Sequence, residues 1–328
     1  MLSQLIASRG PLARFPLRDG VREISPPQSF AGGEQAYDDT AGGGNKADLM
    51  ASGQGAWRLA EHYARRPLQH WLEVGAGGGA CTLGLVAAAP ARTKIITDTS
   101  PAFLRMIRRK LSALGVSDEG CVYATLDGEH LDRLAPESVD AIFVASAVHH
   151  VGDWRGFLAA AAGVLAPGGV LVIQEPFREG FLLMNLALEI ALSAAWAGEL
   201  SDDDVARMTR CRDATYFLSD TSLEKVGEDK HTFLIDEVAA AAGAAGFTRH
   251  AFHRNAHFEN FGRQQEIRLN TPCTFAGYLL AFLGIHHGVS EAGLGVLRRR
   301  LEPALAPLER LYLQGDGPAL LACVVCVR

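Results

Sequence analysis

The stretch from His70 to Thr82, which reads HWLEVGAGGGACT, is the most informative part of this chain. Its first five residues are mostly apolar and predict a buried strand, and glycines follow at alternate positions from Gly75. Glycine permits a tight turn and lets a ligand approach the backbone without interference from a Cβ atom. The stretch therefore predicts a ligand-binding turn between a strand and a helix.

A second strand-like run, from Lys94 to Thr97, ends at Asp98, nineteen residues after Gly79. An acid at the end of the next strand can accept hydrogen bonds from both hydroxyls of a ribose. The turn and the acid together predict a nucleoside cofactor that lies across the ends of two neighbouring parallel strands. Thr99, which follows Asp98, is a further candidate for contact with the cofactor.

The spacing of the glycines distinguishes between cofactors. Gly75, Gly77 and Gly79 read G-x-G-x-G, whereas a dinucleotide fingerprint reads G-x-G-x-x-G and directs a helix N-terminus at a pyrophosphate. The carboxylate of Glu73, just ahead of the turn, would repel a pyrophosphate but suits a cofactor with an ammonium or sulfonium charge. A nicotinamide-dependent dehydrogenase, which would bind NAD, gives Glu73 no role. The glycines alone are also compatible with an ordinary tight turn of an α/β protein.

Four segments resemble, in order and at normal spacing, motifs of the class I S-adenosylmethionine-dependent methyltransferases. They are Leu72 to Gly79 for the first motif, Val122 to Leu131 for the third strand, Ser138 to His150 for the fourth strand, and Val164 to Ile173 for the fifth strand. The resemblance covers about residues 70 to 176. The most similar pattern is that of a broad group of quinone-biosynthesis and small-molecule methyltransferases, which is too diverse to indicate one acceptor.

The resemblance implies S-adenosyl-L-methionine as the cofactor and methyl transfer to a small-molecule or sugar-containing acceptor. It implies that Asp98 binds the ribose and that Asp127 meets the adenine amino group. The expected cofactor-binding residues are Glu73, Gly75, Gly77, Gly79, Asp98, Thr99, Asp127, Gly128 and Ala145. A protein that binds the cofactor without catalysis, or in a repurposed role, is the alternative function.

The candidate catalytic residues follow the fourth and fifth predicted strands. His149 or His150 can accept a proton near neutral pH, although a packing role beside the methionine end of the cofactor is the alternative. Glu175 ends the fifth strand and either orients an acceptor or serves as a capping or salt-bridged acid. Lys230 and His231 resemble a turn of many relatives, which either closes on the active site or is solvated.

The alternation of strands and helices predicts a doubly wound, Rossmann-like α/β fold with a sheet of seven strands. The resemblance implies that the last strand, from Leu320 to Val327, is antiparallel and lies between the fifth and sixth strands. Residues 57–328 should form the methyltransferase domain, with a first helix expected from Gly55 to Arg66. Helical cap insertions are expected at about 178–232 and 257–317, where the apolar stretch from Phe181 to Trp196 should form one wall of the acceptor pocket.

Residues 1–56 should form an N-terminal extension, which contains one segment of interest. The segment Tyr37-Asp38-Asp39 is expected either to cover the cofactor or to form a surface turn. The first eighteen residues carry three arginines and no acid, which faintly resembles a transit peptide. An extension that packs on the domain is the alternative interpretation.

Composition agrees with an ordinary enzyme of the cytoplasm. The 328 residues carry a net charge of −6 with both signs mixed, which indicates no nucleic-acid partner. No uncharged apolar run reaches the roughly 18 residues of a membrane span, so no membrane partner is expected. Cys323 and Cys326 lie in a predicted strand that directs them to opposite faces, and no metal site is expected. A small-molecule substrate is the expected partner, and the sequence leaves a homodimer open.

Overall fold

A nine-stranded sheet organises the computed structural model, which describes residues 11–30, 33–40, 46–193, 198–219, 230–254, 256–263, 274–313 and 319–328. The strands are β1 (Leu17–Arg18), β2 (Val21–Glu23), β3 (His70–Val74), β4 (Thr93–Asp98), β5 (Cys121–Thr125), β6 (Val139–Ala145), β7 (Leu165–Pro176), β8 (Arg249–Arg254) and β9 (Leu321–Val327). Their order is β1-β2-β5-β4-β3-β6-β7-β9-β8. Strands β3 to β7 are parallel to one another.

Helices cover both faces of the sheet and extend beyond one end of it. They are α1 (Glu34–Thr40), α2 (Lys46–Tyr63), α3 (Thr82–Ala88), α4 (Pro101–Ala113), α5 (Trp154–Val164), α6 (Arg178–Ser193), α7 (Asp202–Ser219), α8 (Ile235–Ala244), α9 (Phe258–Arg263), α10 (Phe275–His287) and α11 (Glu291–Leu313). The predicted doubly wound α/β fold with helical insertions is confirmed. The division of the chain at residue 57 stays a prediction.

The last strand has the orientation that the sequence comparison implied. Strand β9 is antiparallel to β7 on one side and to β8 on the other. Its alternating side chains enter two different cores, so Cys323 packs on one face of the sheet and Cys326 on the opposite face. The reversed strand between the fifth and sixth parallel strands is therefore confirmed.

The predicted number of seven strands is wrong, because the N-terminal region adds β1 and β2. Asp19 and Gly20 both have positive φ angles, of 49° and 78°, and such a pair forms the tight turn of a two-residue hairpin. Strand β2 then pairs with β5 in parallel, with Arg22 opposite Ala124. Strands of two and three residues are too short to show an alternating pattern. The Asp19-Gly20 pair is the local sequence signal that could have indicated this hairpin.

The start of the first long helix was also predicted wrongly, since α2 begins at Lys46 and not at Gly55. Gly53 and Gly55 resemble helix breakers in the sequence, but neighbouring elements pack directly on them. A Cβ atom at Gly53 would lie 2.1 Å from the backbone nitrogen of Leu85, and one at Gly55 would lie 1.7 Å from the carbonyl oxygen of Phe258. These glycines therefore permit close packing of α3 and α9 against α2, within one continuous helix.

The insertions form a third hydrophobic core, separate from the two cores on the faces of the sheet. Helices α6, α7, α10 and α11 contribute its buried side chains, which include Met184, Leu188, Met208, Leu279 and Leu297. The helices form because each has an apolar face that the others cover. Within the described part of the chain, no helix combines the length and the apolarity needed to cross a membrane.

Candidate active site

A cavity of about 430 Å³ lies at the sheet edge where the parallel strands β3 to β6 end. Ligands of open α/β sheets bind at this edge, and the volume falls in the range of small-molecule sites. All the predicted cofactor residues except Gly79 line it: Glu73, Gly75, Gly77, Asp98, Thr99, Asp127, Gly128 and Ala145. The fold thus brings together residues that are up to 72 positions apart in the sequence.

The glycine turn after β3 forms the inner wall of the cavity. Gly75 and Gly77 have positive φ angles, of 70° and 50°, which side chains rarely adopt. A Cβ atom at Gly75 would also lie 2.5 Å from the Cβ atom of Ala147, so the turn passes close to the segment that follows β6. The backbone of the turn is therefore exposed to the cavity.

Gly79 is the one predicted cofactor residue that does not line the cavity. A Cβ atom at Gly79 would lie 3.0 Å from Cγ1 of Ile107, which belongs to α4, and its φ angle is 91°. Gly79 therefore serves the turn and its packing on α4, and its contact with the cofactor stays a prediction.

Asp98 connects the glycine turn to the end of β4. Its Oδ2 accepts a hydrogen bond from the Gly77 amide at 2.8 Å, and its Oδ1 accepts one from the Ser100 amide at 2.8 Å. Burial raises the pKa of Asp98, and the backbone donors of Ser100 and Gly77 oppose that shift. Each carboxylate oxygen can accept a second hydrogen bond, so Asp98 retains acceptor capacity toward the cavity. The ribose role stays a prediction, and a role in shaping the turn is added to it.

Glu73 is the most unusual group of the cavity wall. Burial and the neighbouring Asp98 carboxylate raise its pKa to about 8, against a lowering contribution from the Thr82 hydroxyl. Its Oε2 is buried and accepts no hydrogen bond from any residue that the structure describes. A buried acceptor without a donor is costly, whereas a ligand ammonium would supply both donors and charge. The residue therefore fits a cationic cofactor.

Asp127 follows β5 at the other end of the cavity. Its Oδ1 accepts a hydrogen bond from the Glu129 amide at 3.1 Å and so caps the short 3-10 helix Gly128–Arg133. Its own amide donates to the Ser25 hydroxyl at 3.1 Å. The side chain is half-buried and lines the cavity. The hydrogen bond from the Glu129 amide engages one carboxylate oxygen of Asp127. The contact of Asp127 with adenine stays a prediction.

His149 and Glu175 form a hydrogen-bonded pair after β6 and at the end of β7. Glu175 is buried, and its Oε2 lies 2.6 Å from Nδ1 of His149. Its Oε1 accepts hydrogen bonds from the amides of Ala147 and Val148, at 2.8 Å and 2.6 Å. One carboxylate thus orients the imidazole and holds the turn that carries it. A carboxylate on one ring nitrogen fixes the orientation and the tautomer of an imidazole.

The two histidines have different positions in the site. His150 lines the cavity, whereas His149 lies beside it with the ring centroids 3.9 Å apart. The turn is strained at Ser146, a cavity residue with a φ angle of 52°. Such strain is found where the surroundings hold a segment in a functional conformation. Glu175 does not line the cavity, so it contacts His149 and the turn and not an acceptor in the cavity.

The segment that ends the first insertion reaches the same turn. The amides of Lys230 and His231 both donate to the carbonyl of His149, at 2.9 Å and 3.2 Å. Lys230 lines the cavity, and Nε2 of His231 lies 2.8 Å from the Gly152 carbonyl oxygen. Of the two alternatives that the sequence left open for this pair, the structure favours the one in which it approaches the site.

The other described residues of the insertions lie away from the cavity. The buried side chains of α6, including Phe181 and Met184, pack in the third core against α7, α10 and α11. The prediction that the apolar face of this helix forms a pocket wall is therefore wrong for its described residues, because that face has helical partners. Residues 194–197 lie outside the described residues. Leu182, Leu186 and Ile190 form an exposed apolar stripe on α6, and homodimer formation stays a prediction.

Several cavity residues were missed in the sequence. Phe30 and Tyr37 come from the N-terminal region, Phe103 comes from α4, and Leu126 follows β5. Tyr37 and Leu126 belonged to segments singled out from the sequence, but neither was named as a contact, and Phe30 and Phe103 belonged to none. No local pattern marks a single side chain as part of a distant cavity, and only the tertiary structure brings these four together.

The fold and the cavity together define an α/β domain for a nucleoside cofactor with a positive charge. A family model described as "Methyltransferase domain" matches residues 72–173. Over 151 residues, the chain is 32% identical to a trans-aconitate 2-methyltransferase of Methylobacterium radiotolerans. The aligned residues are 45% of this chain and 54% of that protein. The chain therefore spans about half the length of this relative.

Two other relatives have similar identities over shorter stretches. A reducing polyketide synthase, Preu2 of Preussia isomera, is 32% identical over 138 residues, which are 40% of this chain and 6% of that protein. A demethylmenaquinone methyltransferase of Tropheryma whipplei is 34% identical over 104 residues, which are 32% of this chain and 40% of that protein. The matched segment, residues 72–173, is a methyltransferase domain of the class I S-adenosylmethionine-dependent type. S-Adenosyl-L-methionine is the cofactor of this domain.

Proposed function

We propose that the protein is an enzyme that transfers a methyl group from S-adenosyl-L-methionine to a small-molecule acceptor, sugar-containing acceptors included. The observation that carries this proposal is the buried side chain of Glu73 in the wall of the cavity, whose Oε2 accepts no hydrogen bond from the residues that the structure describes. A ligand ammonium would supply donors and a positive charge to this group, whereas a pyrophosphate would supply neither. This difference argues against a dinucleotide in the same cavity.

Three carboxylates would hold the cofactor along the sheet edge. Glu73 would accept from the ammonium group, Asp98 from the ribose hydroxyls, and Asp127 from the adenine amino group. The bound cofactor supplies an electrophilic methyl group on a sulfonium, and the protein supplies position and electrostatics. The order of the three carboxylates follows the order of β3, β4 and β5 in the sheet.

The pair formed by His149 and Glu175 would act as the general base. Glu175 holds Nδ1 of His149 and so orients the imidazole that would accept the proton. A base of this kind suits an acceptor that must lose a proton, such as a hydroxyl, an amine or an activated C–H group. His150, which lines the cavity beside His149, is the second candidate for the proton transfer.

The relatives suggest the first acceptors to be tested. Trans-aconitate and demethylmenaquinone follow from the names of two relatives, and we add a β-keto thioester as a third chemical class because another relative is a reducing polyketide synthase. Carboxylates of trans-aconitate are ionised at neutral pH and need no base, whereas the other two classes lose a proton. Activity on the second or third class, and not on the first, would therefore agree with the pair of His149 and Glu175.

The direct test is release of S-adenosylhomocysteine from the full chain with S-adenosylmethionine and each acceptor. An increase above the acceptor-free rate that is lost in Glu175→Gln supports an enzyme with this base. Tight binding of S-adenosylhomocysteine without turnover on any acceptor class would favour the non-catalytic alternative. Calorimetry that detects NAD binding and no S-adenosylhomocysteine binding would overturn the proposal.

A further inference from the structure

The N-terminal segment, here residues 24–30 and 33–40, forms the outer wall of the cavity and is joined to the cofactor-binding edge at several points. The Gln28 amide donates to the Thr99 carbonyl at 2.9 Å, and the Ser25 hydroxyl accepts from the Asp127 amide at 3.1 Å. Further along, the Ser100 hydroxyl donates to Oε1 of Glu34 at 2.6 Å. This N-terminal segment therefore crosses the ends of β4 and β5.

Aromatic side chains make this outer wall continuous with α4. The rings of Phe30, Tyr37 and Phe103 lie in mutual contact, with centroid separations of 5.1, 5.5 and 5.8 Å. All three residues line the cavity. Tyr37 also lies over the glycine turn, since a Cβ atom at Gly77 would be 3.6 Å from its Cε1. A nucleoside in the cavity would be enclosed between the glycine turn and these rings.

One lysine joins the inner wall to the outer wall. Nζ of Lys110, on α4, donates to the carbonyl oxygen of Gly78 at 2.8 Å and also to Oδ1 of Asp38 in the N-terminal segment. The side chains of Lys110 and Asp38 are 24% and 11% exposed. Water therefore screens this ion pair less than a fully exposed one, and charge-assisted hydrogen bonds are stronger than neutral ones.

We propose that Lys110 holds the N-terminal segment closed over the bound cofactor and that breaking its bond to Asp38 limits the rate at which the product leaves. This role rests on the proposed function for the identity of the ligand. The glycine turn packs against α3 and α4, and Phe30 and Tyr37 form the opposite wall, so we take movement of this outer wall as the route by which the ligand leaves. Opening this wall separates Asp38 from Lys110. Lys110 is a positioning residue, since it contacts the turn and the segment and does not line the cavity.

Dissociation of S-adenosylhomocysteine from the full chain tests this role. In stopped-flow displacement, Lys110→Met should release the ligand roughly tenfold faster, which corresponds to the loss of one charge-assisted hydrogen bond. The association rate should change less, because the open state already admits the ligand. Arg109→Met is the matched control, since Arg109 is the exposed neighbour of Lys110 on α4, and it should keep the parent rate.

A second pair of variants tests the other partner. Asp38→Asn should speed release to a similar extent, whereas Asp39→Asn, on the exposed adjacent residue, should not. In the double variant of Lys110 and Asp38 the effects should fall well short of additive, because both substitutions break one contact. A purely structural role would lower the melting temperature without this kinetic coupling.

The outcomes separate this inference from the proposed function. Parent-like dissociation in both Lys110→Met and Asp38→Asn, with normal melting temperatures, would overturn the role of Lys110. Faster release in Lys110→Met alone would overturn the connection to the N-terminal segment and leave only an effect on the glycine turn. Failure of the parent protein to bind S-adenosylhomocysteine would instead contradict the cofactor assignment itself.

Discussion

Two buried glutamates near the same sheet edge are held in opposite ways. Glu73, near the end of β3, has a buried Oε2 that accepts no hydrogen bond from the described residues, and its pKa is raised to about 8. Glu175, near the end of β7, accepts hydrogen bonds from two backbone amides and lies against the imidazole of His149. The two residues are equally buried, at 2% exposure.

The difference between the two glutamates indicates what each is for. Both carboxylate oxygens of Glu175 have partners within the protein. This carboxylate therefore holds a turn and an imidazole in one geometry. A buried carboxylate oxygen that accepts no hydrogen bond from the described residues costs stability in the free protein, and a ligand with a positive charge removes that cost. Under the proposed function, Glu175 organises the base and Glu73 binds the cofactor.

The largest expected effect concerns the organising glutamate. Glu175→Gln retains the shape and an oxygen for the backbone amides, but its amide group faces Nδ1 of His149 as a donor. The imidazole must then carry its proton on the other nitrogen, so turnover should fall by about 10²- to 10⁴-fold. The affinity for S-adenosylhomocysteine, measured by calorimetry, should stay near the parent value. Unchanged turnover would leave Glu175 a capping acid only.

The second effect concerns Asp98 on β4, which neighbours β3 on the side away from β7. Asp98→Ala should weaken binding of S-adenosylhomocysteine by about 1.5–3 kcal/mol for each hydrogen bond lost to the ribose, or roughly 10- to 150-fold per bond. Asp98 also accepts hydrogen bonds from the amides of Gly77 and Ser100, so the melting temperature of the Asp98→Ala variant should fall as well. Calorimetry together with thermal denaturation measures both. Binding as tight as that of the parent would contradict the ribose role.

The third effect sharpens the comparison through pH. Free Glu73 holds its proton below about pH 8, and an ammonium ligand favours the ionised form, so binding near pH 7 should release up to about one proton. Affinity for S-adenosylhomocysteine should therefore rise with pH toward 8. Calorimetry in buffers of different ionisation enthalpy measures the proton count, and Glu73→Gln should release none from this site. Equal proton release in the parent and the variant would exclude Glu73 as its source.

The same raised pKa has a consequence for the free protein. The unfolded chain ionises Glu73 near its usual pKa of 4.5, while the folded chain holds the proton up to about 8. The unfolded state then binds fewer protons between these values, so the free energy of unfolding should fall as pH rises through this window. Denaturant titration should find a shallower fall in Glu73→Gln, which has no proton to release. An identical slope would mean that other groups dominate this range.

The smallest expected effect is at Asp127, whose substitution would remove one predicted hydrogen bond to adenine. Asp127→Ala should weaken binding by about 1 kcal/mol, or roughly fivefold. The parent should prefer the adenosine form of S-adenosylhomocysteine to its inosine analogue, and the variant should lose that preference. A preference that survives in Asp127→Ala would assign adenine recognition to another residue.

The sheet and the cofactor edge were predicted from the sequence to a large extent. The apolar strands and the glycine turn are local patterns, and the structure contains each of them. Parallel strands end at one edge, so Glu73, Asp98 and Asp127 had to lie near one another once the strands were identified. The sequence thus determined the cofactor class and the fold.

Only the tertiary structure showed how the two glutamates are held. Glu73 and Glu175 are both acids near strand ends, and nothing in the sequence distinguishes a carboxylate with donors from one without. The same limit applies to Gly79, to the apolar face of α6, and to Phe30, Lys110 and Asp38. Hydrogen-bond satisfaction and packing depend on partners that are far apart in the chain, whereas strands, turns and caps depend on neighbours. Short-range sequence patterns therefore indicated the type of domain. Contacts between distant residues decided how the cavity is closed and how its charged groups are paired.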